Sequence, residues 1–243
     1  YDNAALKAFI QTLPFELTDG QKKVVNEICF DLRAPYEMNR LLQGDVGSGK
    51  TIVATIAMVA TALTGKQAAL MVPTEILAEQ HMLTIEKLIQ GTPLKAVLLT
   101  GSMNRSQKKR KELLAQIESG EANLIIGTHA LFQQDVNFKD LAFVVIDEQH
   151  RFGVQQRQAL AGKGAGVNVL QMTATPIPRT LAITAFGEMD TSILSEIPRG
   201  RQPIKTSWVR EQEMEQIFNF VERQIQEGRQ AYMISPLIEE SEH

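Results

Sequence analysis

The run Gly44, Asp45, Val46, Gly47, Ser48, Gly49, Lys50, Thr51 fits the pattern G-x-x-x-x-G-K-[ST]. The chemistry it predicts is phosphate binding. Glycines let the backbone curl until successive N–H groups point at phosphate oxygens. A helix that begins at the end of the loop adds its positive N-terminal end. Lys50 reaches the outer phosphates and the Thr51 hydroxyl is placed to ligate Mg²⁺. A second run, Phe143, Val144, Val145, Ile146, leads into Asp147, Glu148, Gln149 and His150. Adjacent carboxylates after an apolar strand suit nucleotide hydrolysis. Asp147 holds Mg²⁺ through water, because Mg²⁺ keeps several of its waters. Glu148 orients and deprotonates the attacking water. Taken alone, such a pair also describes a solvated loop; beside a phosphate loop it describes a site for a nucleoside triphosphate and Mg²⁺.

The elements that must hold these residues are legible as alternation. Short apolar runs at residues 40–43, 68–72, 96–99, 123–126, 143–146 and 167–172 read as buried strands. Residues 52–63, 75–88, 107–117 and 178–185 read as helices between them. A further helix runs from the Thr18, Asp19, Gly20, Gln21 stretch to Leu32. Strands alternating with helices predict an α/β fold with a mainly parallel sheet covered on both faces. Ligands in such folds bind at the carboxyl ends of the strands, where both motifs lie. Pro198, Arg199, Gly200, Arg201, Gln202 and Pro203 read as a break. Residues 1–198 are therefore expected to form one domain, 199–203 a linker, and 204–243 the start of a second α/β unit. In that second unit, 204–209 and 231–234 are expected strands. Met214, Ile217, Phe218, Val221 and Ile225 mark a helix that Gly228 ends.

Composition narrows the class. The chain has 243 residues, 44% hydrophobic and 22% charged, enough for a sizeable core. The formal net charge of −3 carries no global basic signature, so any nucleic-acid surface is local. The one local basic cluster is Arg105, Lys108, Lys109, Arg110 and Lys111, which fits DNA phosphates or a solvated helix face. No apolar run approaches the roughly 20 residues of a membrane span. The start at Tyr1 reads as a piece of a longer chain without a signal peptide. A lone Cys29, in a helical apolar pattern, argues for a packed thiol and a reducing compartment. No His pairs with Cys at zinc-ligand spacing.

Asp147, Glu148, Gln149, His150 together with Gly44 to Thr51 resemble motifs II and I of the superfamily 2 helicases and translocases. Further runs follow in the order of that family. Val72, Pro73, Thr74, Glu75 and the residues to His81 resemble motif Ia; Thr100 with Gly101, and Gly127, Thr128, His129 with Ala130, resemble its DNA-backbone motifs. Thr173, Ala174, Thr175 and Pro176 resemble motif III. The runs 147–157, 172–182 and 237–242 are most similar to bacterial branch-migration helicases that act on stalled forks and Holliday junctions. Transcription-repair coupling translocases share much of this pattern but usually carry a second Glu where Gln149 stands.

The resemblance implies a RecA-like P-loop fold, ATP and Mg²⁺ as cofactors, and ATP hydrolysis coupled to movement on branched DNA. It implies Gln21 reading the adenine edge with Phe15 stacking on the ring, although Gln21 on a helix face is also simply solvated. His150, Thr173 and Thr175 become residues that couple nucleotide state to DNA grip, with Arg179 beside them. Pro73, Thr74, Thr100, Gly101, Gly127, Thr128 and His129 become DNA-contact candidates. From the residues alone, Thr74 is as well explained as a helix cap and Gly127 as a turn. The resemblance further implies a monomeric motor in the bacterial cytoplasm, at the nucleoid, with single-stranded DNA-binding protein as a partner and no membrane. The family completes its ATP site with arginines of a second domain, which no residue after Gly200 supplies. The 243 residues alone are thus expected to bind ATP weakly, hydrolyse it slowly and not unwind forks. The alternatives are a transcription-repair coupling or primosomal-type translocase and, from another class, a nucleotide-gated P-loop binding module.

Overall fold

The computed structural model describes residues 3–102, 106–147, 163, 166–178, 180–181, 189–196 and 202–234. The chain divides into two compact units, Tyr1–Arg199 and Gly200–His243.

The first unit is built on a seven-stranded sheet: β1 (Asn39–Gly44), β2 (Gln67–Met71), β3 (Ala96–Leu99), β4 (Leu124–Gly127), β5 (Leu141–Asp147), β6 (Asn168–Thr173) and β7 (Asp190–Leu194). The spatial order is β3-β4-β2-β5-β6-β1-β7 and every pairing is parallel. Parallel neighbours need crossovers. The helices α1 (Asn3–Gln11), α2 (Asp19–Arg33), α3 (Lys50–Ala62), α4 (Glu75–Leu88) and α5 (Gln107–Ser119) surround the sheet or carry the chain between its strands.

Alternate strand residues face opposite sides. Leu42, Ala68, Leu70, Ile126, Val145 and Leu170 join one buried cluster with residues of α1 to α4. Ala69, Met71, Leu99, Ile125, Val144 and Ile146 join the other, with Ile117, Leu131 and Val136. Both faces are dry, which is why these strands read as unbroken apolar runs. Helix α3 is buried at every position from Val53 to Ala62. Its sequence is apolar all round because it lies inside the unit rather than on its surface. Cys29 is buried in the first cluster, as a packed thiol should be.

Two elements of this unit carry too little periodicity to be read in advance. α1 buries only Leu6 and Phe9. β7 is an edge strand of mixed polarity, Asp190, Thr191, Ser192, Ile193, Leu194, held by its register with β1. Its Ser192 is buried for a polar reason. The hydroxyl accepts a 3.0 Å bond from Arg40 and donates to Glu27, while Arg40 Nε donates to Asp31 at 2.8 Å. This network pins α2 to β1 and β7. The helix expected at 178–185 lies mostly outside the described residues.

In the second unit a 3₁₀ turn, Glu211–Glu213, leads into α6 (Met214–Gln226). Gly228, at φ +83°, ends the helix as expected, with its N–H on Ile225 O and Arg229 N–H on Gln224 O. The strands expected at 204–209 and 231–234 are not found: neither segment joins a ladder among the described residues. An extended apolar run becomes a strand only when another edge takes its backbone hydrogen bonds, and periodicity says nothing about that partner.

Candidate nucleotide site

The register of the sheet brings the motifs to one edge. Gln43 of β1 lies opposite Thr173 of β6, and Met172 of β6 lies opposite Asp147 of β5. Gly44, Thr173 and Asp147 therefore share the carboxyl edge. One strand separates β1 from β5, so the phosphate loop and Asp147 sit about 10 Å apart across the sheet. On the other side of β5, Met71, Gly127 and Leu99 continue the same row, followed by Thr74, Thr128 and Thr100.

The loop leaves β1 and enters α3 with Gly49 as N-cap, at φ +92°. Gly49 has no side chain to offer, so no cap occupies the first N–H groups of α3. Those donors and the helix dipole face the loop, which is the arrangement an anion needs. Lys50 Nζ donates to the carbonyls of Gly44 and Asp45, the latter at 3.1 Å, and so bends back over the loop. Asp45 accepts from Val46 N at 2.8 Å and its carbonyl from Ser48 N at 3.0 Å. Ser48 Oγ is buried with no hydrogen-bond partner among the described residues, a polar atom that a phosphate oxygen would satisfy. Gly47 takes φ +80°, and Val46 is exposed. These residues fit a nucleoside triphosphate. Thr51, in the first turn of α3, and Asp147, at the end of β5, fit its Mg²⁺, with phosphate oxygens and water completing the shell.

Gln21 is tied to the loop directly. Its side-chain oxygen accepts from Thr18 N at 3.0 Å, and Thr18 Oγ1 accepts from Gln21 N at 3.2 Å, a reciprocal capping box. Its amide nitrogen donates to Ser48 O at 3.2 Å. Gln21 is thus a structural brace between the start of α2 and the phosphate loop. Phe15, 41% exposed, lines an open groove with Leu13, Pro14, Lys22 and Val25, none of them a residue of the phosphate loop. Glu196, just past β7, accepts from Gly20 N at 2.9 Å, with the Thr18 hydroxyl close by. The Thr18 hydroxyl, foremost, and the Gly20 N–H hold its carboxyl below the usual range. Glu196 carries no sequence signal, because its partners are about 176 residues away along the chain.

The DNA-side candidates are positioned by ordinary local bonds. Thr74 caps α4, its hydroxyl accepting from Leu77 N at 3.3 Å, with Pro73 half-buried before it. Thr100 is buried, 3.2 Å from Ser102 Oγ, and Gly101 is exposed beside it. Glu75 accepts from Ser102 N at 2.8 Å, which joins this turn to α4. Gly127 ends β4, and a Cβ there would lie 2.1 Å from the Leu99 carbonyl. Strand packing alone demands that glycine. Thr128 is buried and starts the 3₁₀ turn His129–Phe132, in which His129 is exposed. Thr173 Oγ1 accepts from Thr175 N at 3.1 Å. Glu148, His150 and Arg179 lie outside the described residues. In the basic cluster, Arg105 also lies outside them. Arg110 is committed to Asp135 at 2.7 Å and to Gln133, and its hydrogen bond holds the Asp135 carboxyl low. Lys108, Lys109 and Lys111 remain exposed. His81 received no role from sequence, yet its Nε2 lies 3.5 Å from Asp147 Oδ2.

A parallel sheet with a phosphate loop after β1 and an acid at the end of β5 is the RecA-like fold of helicase motors. Residues 18–183 match the DEAD/DEAH box helicase family, and the chain belongs to it. Over its whole length the chain is 58% identical to the ATP-dependent DNA helicase RecG of Staphylococcus epidermidis, covering 35% of that protein. It is 55% identical over 242 residues to that of Bacillus subtilis, again covering 35%. The chain spans about a third of the length of these relatives. A solved structure, RecG bound to a three-way DNA junction, superposes with a TM-score of 0.82 at 40% identity, over 98% of this chain and 32% of that one. The DNA-bound helicase MrfA shares the fold, at TM-score 0.60 and 16% identity, over 79% of this chain and 29% of that one.

Proposed function

We propose that this chain is the ATP-binding part of a DNA motor that acts on forks and junctions in recombination and repair. The observation that carries the reading is the placement, on one sheet edge, of an uncapped helix N-terminus behind a phosphate loop and of Asp147 two strands away. ATP binds through the loop N–H groups and Lys50; Thr51 and Asp147 hold Mg²⁺. Glu148 takes a proton from the attacking water, and His150, Thr173 and Thr175 pass the nucleotide state toward DNA. Residues 1–198 form the ATP-binding domain, 199–203 the linker and 204–243 the opening of a second RecA-like domain. The named relatives are ATP-dependent DNA helicases, and one solved relative holds a three-way junction, which supports branched DNA as the track. Among the described residues no helix is long and apolar enough to cross a membrane. The reading includes a monomeric motor in the bacterial cytoplasm, at the nucleoid, with single-stranded DNA-binding protein as partner.

The test is a pair of substitutions in the full-length protein. Lys50→Ala should abolish ATP binding. Glu148→Gln should bind ATP and cut turnover by at least the 10²–10⁴-fold typical of general-base loss, that is by roughly 100-fold or more. Fork unwinding that survives both changes overturns the motor reading.

A further inference from the structure

His81 lies on the second turn of α4, and its imidazole Nε2 is 3.5 Å from Oδ2 of Asp147. The two side chains are only 15% and 14% exposed, so water does not compete freely for the contact. α4 is firmly placed. Thr74 caps it, Glu75 ties its first turn to Ser102, and Ala78 and Ile85 are buried in the core. An imidazole carried on such an element comes to Asp147 from a fixed direction.

We infer that His81 is a positioning residue for Asp147. The terminal torsion of an aspartate is broad, so a strand end alone does not fix the carboxylate plane. A donor at one oxygen fixes it and leaves the other oxygen for the hydrated Mg²⁺ of the nucleotide. The gap between 3.5 Å and a 2.7–3.2 Å hydrogen bond is about half an ångström. Partners that orient a ligating carboxylate are typically worth about 10–100-fold in metal affinity or activity. The role assigned to His81 is exercised through Asp147. This inference rests on the proposed nucleotide site.

The experiment titrates Mg²⁺ against binding of a fluorescent, N-methylanthraniloyl-labelled ATP to the full-length protein, with a parallel titration in EDTA. For His81→Ala the Mg²⁺ concentration at half-maximal binding should rise about 10–100-fold, while binding in EDTA stays at the parent's level. His81→Gln retains an N–H donor at similar reach and should recover most of the loss. A Mg²⁺ dependence in His81→Ala equal to the parent's overturns the inference. So does a His81→Gln variant as defective as the alanine, since bulk rather than donation would then be the cause. If His81→Ala does not fold, His81→Asn against His81→Gln makes the same comparison of donor reach, and equal Mg²⁺ dependence in the two and the parent overturns the inference. A parent protein whose binding ignores Mg²⁺ overturns the nucleotide-site reading itself, a failure distinct from the loss of His81's role alone.

Discussion

At the scale of single residues, Gly49 does two things at once. Its φ of +92° is a conformation that L side chains rarely adopt, and a Cβ there would lie 2.1 Å from Gln21 Nε2. Gly49→Ala therefore costs the left-handed backbone penalty of roughly 1–2 kcal/mol and also displaces Gln21 from Ser48. Its affinity for labelled ATP should fall at least about tenfold, since 1.4 kcal/mol is a factor of ten. Gly65 is the control. It has a similar φ, +83°, but open space around its missing Cβ. Gly65→Ala should lower the unfolding free energy by roughly 1–2 kcal/mol and leave labelled-ATP affinity where it was. The glycine of Gly127 teaches a different lesson. It reads as a place for a DNA backbone to approach or as a turn, and the structure adds a third reason for the glycine, the Leu99 carbonyl beside its missing Cβ. Sequence could not show the Leu99 carbonyl, because a glycine is silent about which atom needs the room.

At the scale of elements, α2 is the brace of the site. Its first turn holds the phosphate loop through Gln21, and its buried side holds β1 and β7 through Asp31, Arg40, Ser192 and Glu27. Breaking a buried ion pair by removing one partner leaves a charge without compensation. Asp31→Ala should thus destabilise the protein by about 3–5 kcal/mol in urea unfolding, whereas Lys95→Ala, losing an exposed pair with Glu121, should cost about 1 kcal/mol or less. Glu196 extends the brace. Hydrogen bonds from Thr18 and Gly20 favour its charged form, so its folded pKa lies below its unfolded one. Its contribution is present above the unfolded value and disappears as pH falls through the folded one. The stability difference between the parent and Glu196→Gln should therefore shrink as pH falls below the ordinary glutamate range. A difference constant from neutral pH down to acid unfolding would remove Glu196 from this role. Ser192 and Glu196 lie 152 to 176 residues from their partners in β1 and α2, and no local pattern announces a contact between α2 and the end of β7.

At the scale of the whole molecule, the buried hydrophobic residues among those described all fall between Leu6 and Leu194, within the first unit. A chain ending at residue 199 should therefore unfold in a single cooperative transition, with coincident near- and far-ultraviolet circular dichroism curves. Separate transitions by the two probes would show that the core depends on more than this unit. The sequence by itself determined the phosphate loop, because its chemistry is contained in consecutive residues whose backbone curls on itself. It determined the apolar strands and the four helices between residues 19 and 119, because burial on both faces of a parallel sheet writes itself as local runs. It also placed the turn at Gly228, where one residue decides. The unpaired segments at 204–209 and 231–234 mark the boundary of that reasoning, since a strand is a property of two chain segments. Only the tertiary structure decided that β6 alone stands between Gly44 and Asp147, that Arg110 is spent on Asp135, and that His81 reaches Asp147. Strand order and register are set by contacts between residues far apart in the chain, and those contacts leave no periodicity to read.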